Sequence, residues 1–228
     1  MAEDIRTAIL TGKLRAGSKL IETELAERFG TSRGPIREAI RELAREGLVA
    51  ELPRRGTVVS TLNERDLAEV YAVREALELG ASRVVVARAS DDEIQVLEQH
   101  LLALEQSWTS DVTYLESAVH DFAFHRGLLA LAENDRMASM YDQMLTQTML
   151  LLQTTAVGNP VLRSGMTRSA HRDIFDALVA RDEERARLAL EAHYRYAEER
   201  LFAGFSQGGS SRHLTDPSTE LDQGLHHT

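Results

Sequence analysis

The sequence predicts a mainly α-helical protein, an N-terminal winged helix-turn-helix with a small β-hairpin wing followed by an all-α antiparallel helical bundle. Three observations carry this. Residues 20–59 read as a helix, a tight turn, an arginine-striped helix and a hairpin. From 64 to about 205 the apolar residues recur almost throughout at helical spacing, and the breaks between these stretches are short.

In the first region, Gly30 follows Leu25, Ala26 and Phe29 and, having no Cβ, accepts the left-handed conformation that ends a helix. Thr31 and Ser32 offer side-chain oxygens to cap the next helix. Pro35 falls in its first turn, where a missing N–H costs nothing, so that helix starts near Arg33. Ile36, Ile40, Leu43 and Ala44 give it a packing face, while Arg33, Arg37, Arg41 and Arg45 line a neighbouring one. Arginine at the N-terminal end of such a helix matches the O6 and N7 acceptors of guanine in the major groove, worth roughly 1–3 kcal/mol of discrimination. Arg33 and Arg37 are therefore the expected base readers. The competing reading pairs these arginines with Glu38, Glu42 and Glu46 on a solvated face. After Gly47, the β-prone segments Val49 to Leu52 and Thr57 to Ser60 flank Pro53, Arg54, Arg55 and Gly56. That is a hairpin whose tip, Arg55 and Gly56, can reach a minor groove or a phosphate.

The formal charge of −10 over 228 residues fits a nucleic-acid binder only once it is divided by position. Residues 1–62 hold 11 Lys or Arg against 9 Asp or Glu, net +2, which leaves −12 for the rest. Attraction to phosphates fades within about 8–10 Å at physiological salt, so an acidic body does not oppose a basic head. No cysteine is present, which excludes disulfides and thiolate metal sites. No apolar run approaches the roughly 18 residues of a membrane helix, and the N-terminus has no signal-peptide core, so a cytoplasmic protein without a membrane partner is expected.

The organisation that follows is a winged helix-turn-helix over 1–62, a helical body over 63–205 and a disordered tail over 206–228. Ala2 to Leu10 forms a first helix, and Asn63 with Asp66 resembles a cap opening the body. Leu67, Val70, Leu77 and Ala81 mark the body's first helix. Ser90 and Glu93 form a capping box for the second, which ends near Trp108. A third spans about 112–133. The fourth, about 136–157, carries Met137, Met140, Met144 and Leu151 as adaptable core and closes at the Gly158-Asn159-Pro160 turn; Asn134 before it terminates the preceding helix. The fifth covers about 166–181 and the sixth about 183–205, capped by Asp182. His213, His226 and His227 fall in the tail, and His100 and His120 are expected on the surface.

A second constellation lies in the body. Asp121 and His125, four apart, share one helix face with Ala118 and Phe122; His171 shares a stripe with Ile174, Phe175 and Leu178; His193 shares one with Ala186, Ala189, Leu190 and Ala197. A buried carboxylate or imidazole without a partner is costly, so these side chains either bond one another or share a cation. Three imidazoles and a carboxylate suit a divalent transition metal of the Zn, Ni or Mn class. Arg74 falls between Val70 and Leu77 on an otherwise apolar stripe and needs an anion. That anion is either an internal carboxylate, Asp121 or a nearby glutamate, or the carboxylate of a bound acid.

The head resembles the GntR family of bacterial transcription regulators, whose pattern L-A-x-x-x-G-x-S-R-x-P-[VI]-R-E-A-[LI]-x-x-L-x-x-E-G-L-V is met here from Leu25 to Val49. The resemblance implies that Ser32, Arg33 and Arg37 contact operator DNA together with Arg55 and Gly56. Thr23 stands where some relatives carry another DNA-contacting arginine. Over about 63–205 the chain resembles the FCD domain of the FadR-type subgroup. Asp121, Phe124 and His125 meet its D-x-x-F-H motif, and His171 in Ala170-His171-Arg172-Asp173-Ile174 and His193 in Leu190-Glu191-Ala192-His193 meet the two later ones. Six helices rather than seven resemble the VanR branch. This resemblance implies a metal held by Asp121, His125, His171 and His193, a small carboxylic acid effector completing its coordination beside Arg74, and a homodimer acting on a palindromic operator, most often as a repressor. The alternatives are a purely structural metal, or a helical hydrolase or lyase fused to a DNA-binding head. The second is disfavoured because no general base stands at recognisable spacing, so no catalytic residue is expected.

Overall fold

Around Ile5, Ile36, Leu43 and Leu48, all with no solvent exposure, the N-terminal segment folds into the head. Its elements are α1 (Ala2–Leu10), α2 (Glu22–Arg28), α3 (Arg33–Arg45), β1 (Val49–Leu52) and β2 (Gly56–Val59). The structure is a computed structural model that describes residues 1–108, 114–156 and 168–208. Gly30 and Gly47 take positive φ, +62° and +78°, after α2 and after α3, so both chain reversals use the one residue that pays no Cβ penalty there. Ser32 is the N-cap of α3 through its extended backbone, but its side chain makes no capping bond, contrary to the expected hydroxyl cap. The packing face of α3 is also shifted. Ile36, Ala39 and Leu43 are buried, Ile40 is half-buried, and Ala44 is exposed, because the stripe facing α1 and α2 follows 36, 39, 40 and 43.

The strands pair antiparallel with Val49 opposite Val59 and Leu52 opposite Gly56. Lys19 bridges to Val58, and Leu20 N–H donates to the Thr57 carbonyl at 2.9 Å, so the connection after α1 covers one edge of the wing. Arg6 on α1 grips Glu46 at the end of α3 with two bonds of 2.6 and 2.8 Å, a bidentate pair of the stronger kind.

The body comprises α4 (Glu64–Arg88), α5 (Asp91–Ser107), α6 (Tyr114–Leu131), α7 (Asp135–Ala156), α8 (Arg168–Val179) and α9 (Glu183–Gly208). Two capping boxes start its first helices as the sequence predicts. Asn63 Oδ1 accepts from the Arg65 and Asp66 amides and Asp66 returns a bond to the Asn63 amide, and Ser90 and Glu93 do the same for α5. Asp182 caps α9 by accepting from Arg185 N–H at 2.9 Å. Asn134 does not end α6; its Oδ1 accepts from Met137 N–H at 3.1 Å and so starts α7. Helix α9 runs three residues into the segment expected to be tail. The Gly158-Asn159-Pro160 turn and the tail from 209, with its three histidines, lie outside the described residues.

Helix α4 is the centre of the body, in contact with α6, α7, α8 and α9. Its buried residues therefore include polar ones, Arg74, Glu78 and Ser82, among Leu67, Val70, Ala81 and Val85. Of the methionine stripe on α7, Met137 and Met144 pack on the core while Met140 is half exposed. His100 is half-buried against Gly127, not on the surface; a Cβ on that glycine would stand 3.1 Å from the imidazole. His120 is exposed as expected.

Helix α7 also reaches the head. Leu150 has no solvent exposure and packs within the head's apolar cluster, and Gln147 Nε2 donates to the Glu46 carbonyl at 3.2 Å, capping the C-terminal end of α3. The Gly47→Ala substitution tests this junction. The left-handed backbone makes any Cβ costly by about 1–2 kcal/mol, and the new methyl would stand 2.7 Å from Gln147 Nε2. Denaturant unfolding should report a loss of at least that size.

Candidate nucleic-acid interface and metal centre

The first turn of α3 presents Ser32, Arg33 and Arg37 to solvent, and Arg55 and Gly56 form the exposed tip of the wing, with Gly56 at φ +76°. Arg33 and Arg37 are 60% and 50% exposed at their side chains, and neither pairs with Glu38, Glu42 or Glu46. Both instead converge on Glu22 at the start of α2. Arg33 Nη2 donates to Oε2 at 3.0 Å, and Arg37 gives Nε to Oε1 at 3.0 Å and Nη2 to Oε2 at 2.9 Å. The two guanidinium groups, Arg37 foremost, hold the Glu22 carboxyl down to about 2. One carboxylate thus aligns two planar forks on the exposed side of the helix, a pairing the sequence reading missed because it looked for partners along α3 only. Glu38 takes Arg41, and Glu42 and Glu46 take Arg6 from α1.

The four body residues singled out from sequence come together. Asp121 and His125 project from α6, His171 from α8 and His193 from α9, all at or below 9% exposure, and one donor atom from each lies within 4.8 Å of the others. Asp121 Oδ1 is 2.9 Å from His171 Nε2 and 3.8 Å from His125 Nε2, and the two Nε2 atoms are 3.2 Å apart. Donor atoms about 2.0–2.1 Å from one ion stand about 2.9–3.4 Å from their neighbours in octahedral or tetrahedral geometry; the 2.9 and 3.2 Å separations match a shared cation, and the 3.8 Å one is wider. The hydrogen-bond pattern fits it as well. Two imidazole nitrogens facing each other can share one proton at most, whereas a cation uses both lone pairs.

Burial pushes the His193 imidazole well below its ordinary value, with His171 and His125 adding to the effect. His171 is lowered mainly by burial, against the pull of Asp121. Burial opposes ionisation of Asp121, but His125, His171 and His193 outweigh it and hold its carboxyl well below the usual carboxylate range. A divalent ion binds neutral imidazoles and an ionised carboxylate, and the downward shifts of His171, His193 and Asp121 run in that direction. The Nδ1 atom of His171 is buried and has no hydrogen-bond partner among the described residues.

A cavity of about 60 Å³ opens beside this cluster, bounded by Asp121, His171 and His193 on one side and by Tyr71, Arg74 and Phe122 on another. Arg74, 2% exposed, is not paired directly with Asp121. It donates Nη2 to the Tyr141 hydroxyl at 3.0 Å and Nη1 to Thr148 Oγ1 at 3.5 Å, and the rings of Tyr71, Phe122, Tyr141 and Tyr194 surround its guanidinium at 5.0–5.6 Å. The buried carboxylate nearest in function is Glu78, which accepts from the Tyr141 and Tyr194 hydroxyls and from His125 Nδ1 at 2.6 Å. The sequence reading offers a nearby glutamate as a partner for Arg74 but does not single out Glu78. The signal was present, because it stands four residues after Arg74 on the stripe that continues through Ala81 and Val85.

Comparison with known proteins agrees with both halves. Residues 1–59 match the gntR family of bacterial regulatory proteins, and residues 69–196 match the FCD domain. The chain is 32% identical over 185 residues to a probable D-xylose utilization operon transcriptional repressor of Paenarthrobacter nicotinovorans, covering 81% of this chain and 80% of that one. It is 28% identical to an uncharacterized HTH-type transcriptional regulator, YdhC, of Bacillus subtilis (strain 168), covering 86% and 87%. The fold is that of E. coli McbR/YncC, with a TM-score of 0.71 at 23% identity over 90% of this chain and 96% of that one. These families and relatives are transcriptional regulators and not enzymes. Among the described residues no helix is long and apolar enough to cross a membrane.

The buried imidazoles give the metal-free protein a defined pH response. His171 and His193 are lowered in the fold from 6.5, so the unfolded chain binds protons that the folded one refuses. Their contribution to stability is whole above about pH 6.5 and is lost as pH falls below it. In a chelating buffer the melting temperature should decline steadily from pH 7 to pH 5. A flat profile over that interval would show that the two rings are not held neutral.

Proposed function

We propose, on the premise that this chain belongs to the GntR family of bacterial regulatory proteins and carries an FCD domain, that this transcriptional regulator is a metabolite-responsive repressor. As a homodimer it binds a palindromic operator through the head, residues 1–62, and it senses a small carboxylic acid through a divalent metal of the Zn, Ni or Mn class held in the body, residues 63–205. The observation that carries the reading is the convergence of Asp121, His125, His171 and His193 on one point at the wall of a cavity that Arg74 also lines. The relative named as a probable repressor supports the sign of regulation. Its place of action is the cytoplasm, where operator DNA is.

Ser32, Arg33 and Arg37 enter the major groove, with Arg55 and Gly56 at the flanking backbone. The exposed arginine forks and the uncapped Ser32 hydroxyl support this assignment. A two-fold operator requires two such helices about 34–36 Å apart, which is why the active species is a dimer. When bound, the ion supplies a Lewis-acidic seat for a carboxylate oxygen. Arg74 adds a planar cation held in place by Tyr141 and Thr148. The size of the cavity favours a compact acid, since one water needs roughly 10–15 Å³ and the space is only a few times that.

Helix α7 supports a coupling route. Its Tyr141 and Thr148 receive Arg74, while its Gln147 and Leu150 hold the end of α3. An acid that draws on Arg74 therefore acts on the helix that braces the recognition helix. Coupling is reciprocal, so operator DNA should weaken acid binding by the same factor by which the acid weakens operator binding.

Three outcomes are expected. Arg33→Ala should lose operator preference by roughly 1–3 kcal/mol while retaining salt-dependent binding to unrelated DNA, read by competition binding; retained preference would remove the docking assignment. Chelation should lower the melting temperature, and one small acid in a thermal-shift screen of metal-replete protein should raise stability by roughly 2.7 kcal/mol at 100 times its dissociation constant. Stabilisation by metal without a response to any acid would make the ion purely structural. Gln147→Ala should leave the affinity for acid intact and reduce the acid's effect on operator binding.

A further inference from the structure

We infer that Glu78 is the positioning residue of the metal centre: its carboxylate, buried on α4, takes the Nδ1–H of His125, fixes that ring's tautomer and aims the Nε2 lone pair at the point shared with Asp121, His171 and His193. The inference rests on the metal reading above and adds to it a residue outside the ligand set. The geometry is specific. Glu78 Oε2 lies 2.6 Å from His125 Nδ1, and both side chains have no solvent exposure. His125 Nε2 lies on the other side of the ring, 3.2 Å from His171 Nε2. An imidazole whose Nδ1–H is donated to a carboxylate carries its lone pair on Nε2, and the carboxylate makes that nitrogen a better donor to a cation.

The other oxygen of Glu78 is equally committed. Oε1 accepts from the hydroxyls of Tyr141 on α7 and Tyr194 on α9. With both oxygens held by three helices besides its own, the carboxylate cannot rotate away from His125. Tyr141 in turn receives Nε and Nη2 of Arg74, so a continuous chain of bonds runs from the cavity's arginine to the metal-facing imidazole. Tyr194 is the neighbour of His193, and the same contact fixes the α9 backbone that carries this fourth donor. His171 lacks such an orienting partner at Nδ1 among the described residues, in contrast to His125.

The test uses the full chain and divalent zinc or nickel as the probe. In the metal-free wild type, long-range 1H–15N spectra should report His125 as the Nδ1–H tautomer, a measurement that needs no variant and that a merely structural Glu78 would not require. Glu78→Gln, which keeps the side chain's shape, should weaken metal binding by about 10- to 100-fold in competition titrations and shift His125 towards a mixture of tautomers. Glu69→Gln, the same change at an exposed position of α4 outside the cluster, should leave metal affinity unchanged. An Nε2–H tautomer in the wild type overturns the inference, as does a folded Glu78→Gln protein with wild-type affinity. If Glu78→Gln fails to fold, the wild-type tautomer decides. Wild-type protein that takes up no divalent ion would instead remove the metal reading itself.

Discussion

The body of this protein is organised around buried charge. Arg74, Glu78, Asp121 and three imidazoles occupy the interior of a helical bundle whose remaining core is Leu, Phe, Ala and Val. An isolated ion in such surroundings costs several kcal/mol, so each must have a partner. Arg74 finds hydroxyls and aromatic faces, Glu78 finds two phenols and an imidazole, and Asp121 finds His171. Apart from Tyr71, which shares α4 with Arg74, these partners sit on a different helix from the group they satisfy. The polar network therefore fixes how α4, α6, α7, α8 and α9 are placed against one another, a task that apolar packing alone performs with less discrimination.

That arrangement leaves the protein with a centre that is satisfied only in part. The His125 and His171 nitrogens face each other across 3.2 Å, and a single proton cannot serve both them and Asp121. A cavity opens beside them, bounded by Arg74 on another wall. Helix α7, which gives Leu152 to the cavity wall, continues to the junction with the head, where Gln147 and Leu150 contact the end of α3 and the head's apolar cluster. A short path of contacts joins Arg74 to the end of α3. It runs through packed side chains and two hydrogen bonds, and no long flexible connection intervenes.

The head follows a different logic. Its core is apolar and small, and the arginines of α3 are on the outside, where an ion pair contributes little to stability. The value of the Glu22 pairing with Arg33 and Arg37 is alignment. Two forks that share one carboxylate are held on the same side of α3 by bonds that are themselves exposed.

Much of this was legible in one dimension because it is local. Helix boundaries were announced by Gly30, Asn63, Ser90 and Asp182, whose caps depend on residues within three positions, and the hairpin by a glycine at its tip. The pairing of Asp121 with His125 follows from a four-residue interval, and His171 and His193 were placed inward by the apolar company on their stripes. What was missed depended on contacts between elements far apart in the chain. Asn134 serves the helix after it and not the one before. The arginines of α3 find Glu22 on another helix, and Ala39 rather than Ala44 is buried because α1 and α2 approach from that side. Glu78 belongs with these: its stripe with Ala81 and Val85 places it inward, but its partners appear only where α6, α7 and α9 bring His125, Tyr141 and Tyr194 to it. Periodicity assigns a side chain to a face, whereas the identity of its partner is set by how the faces pack.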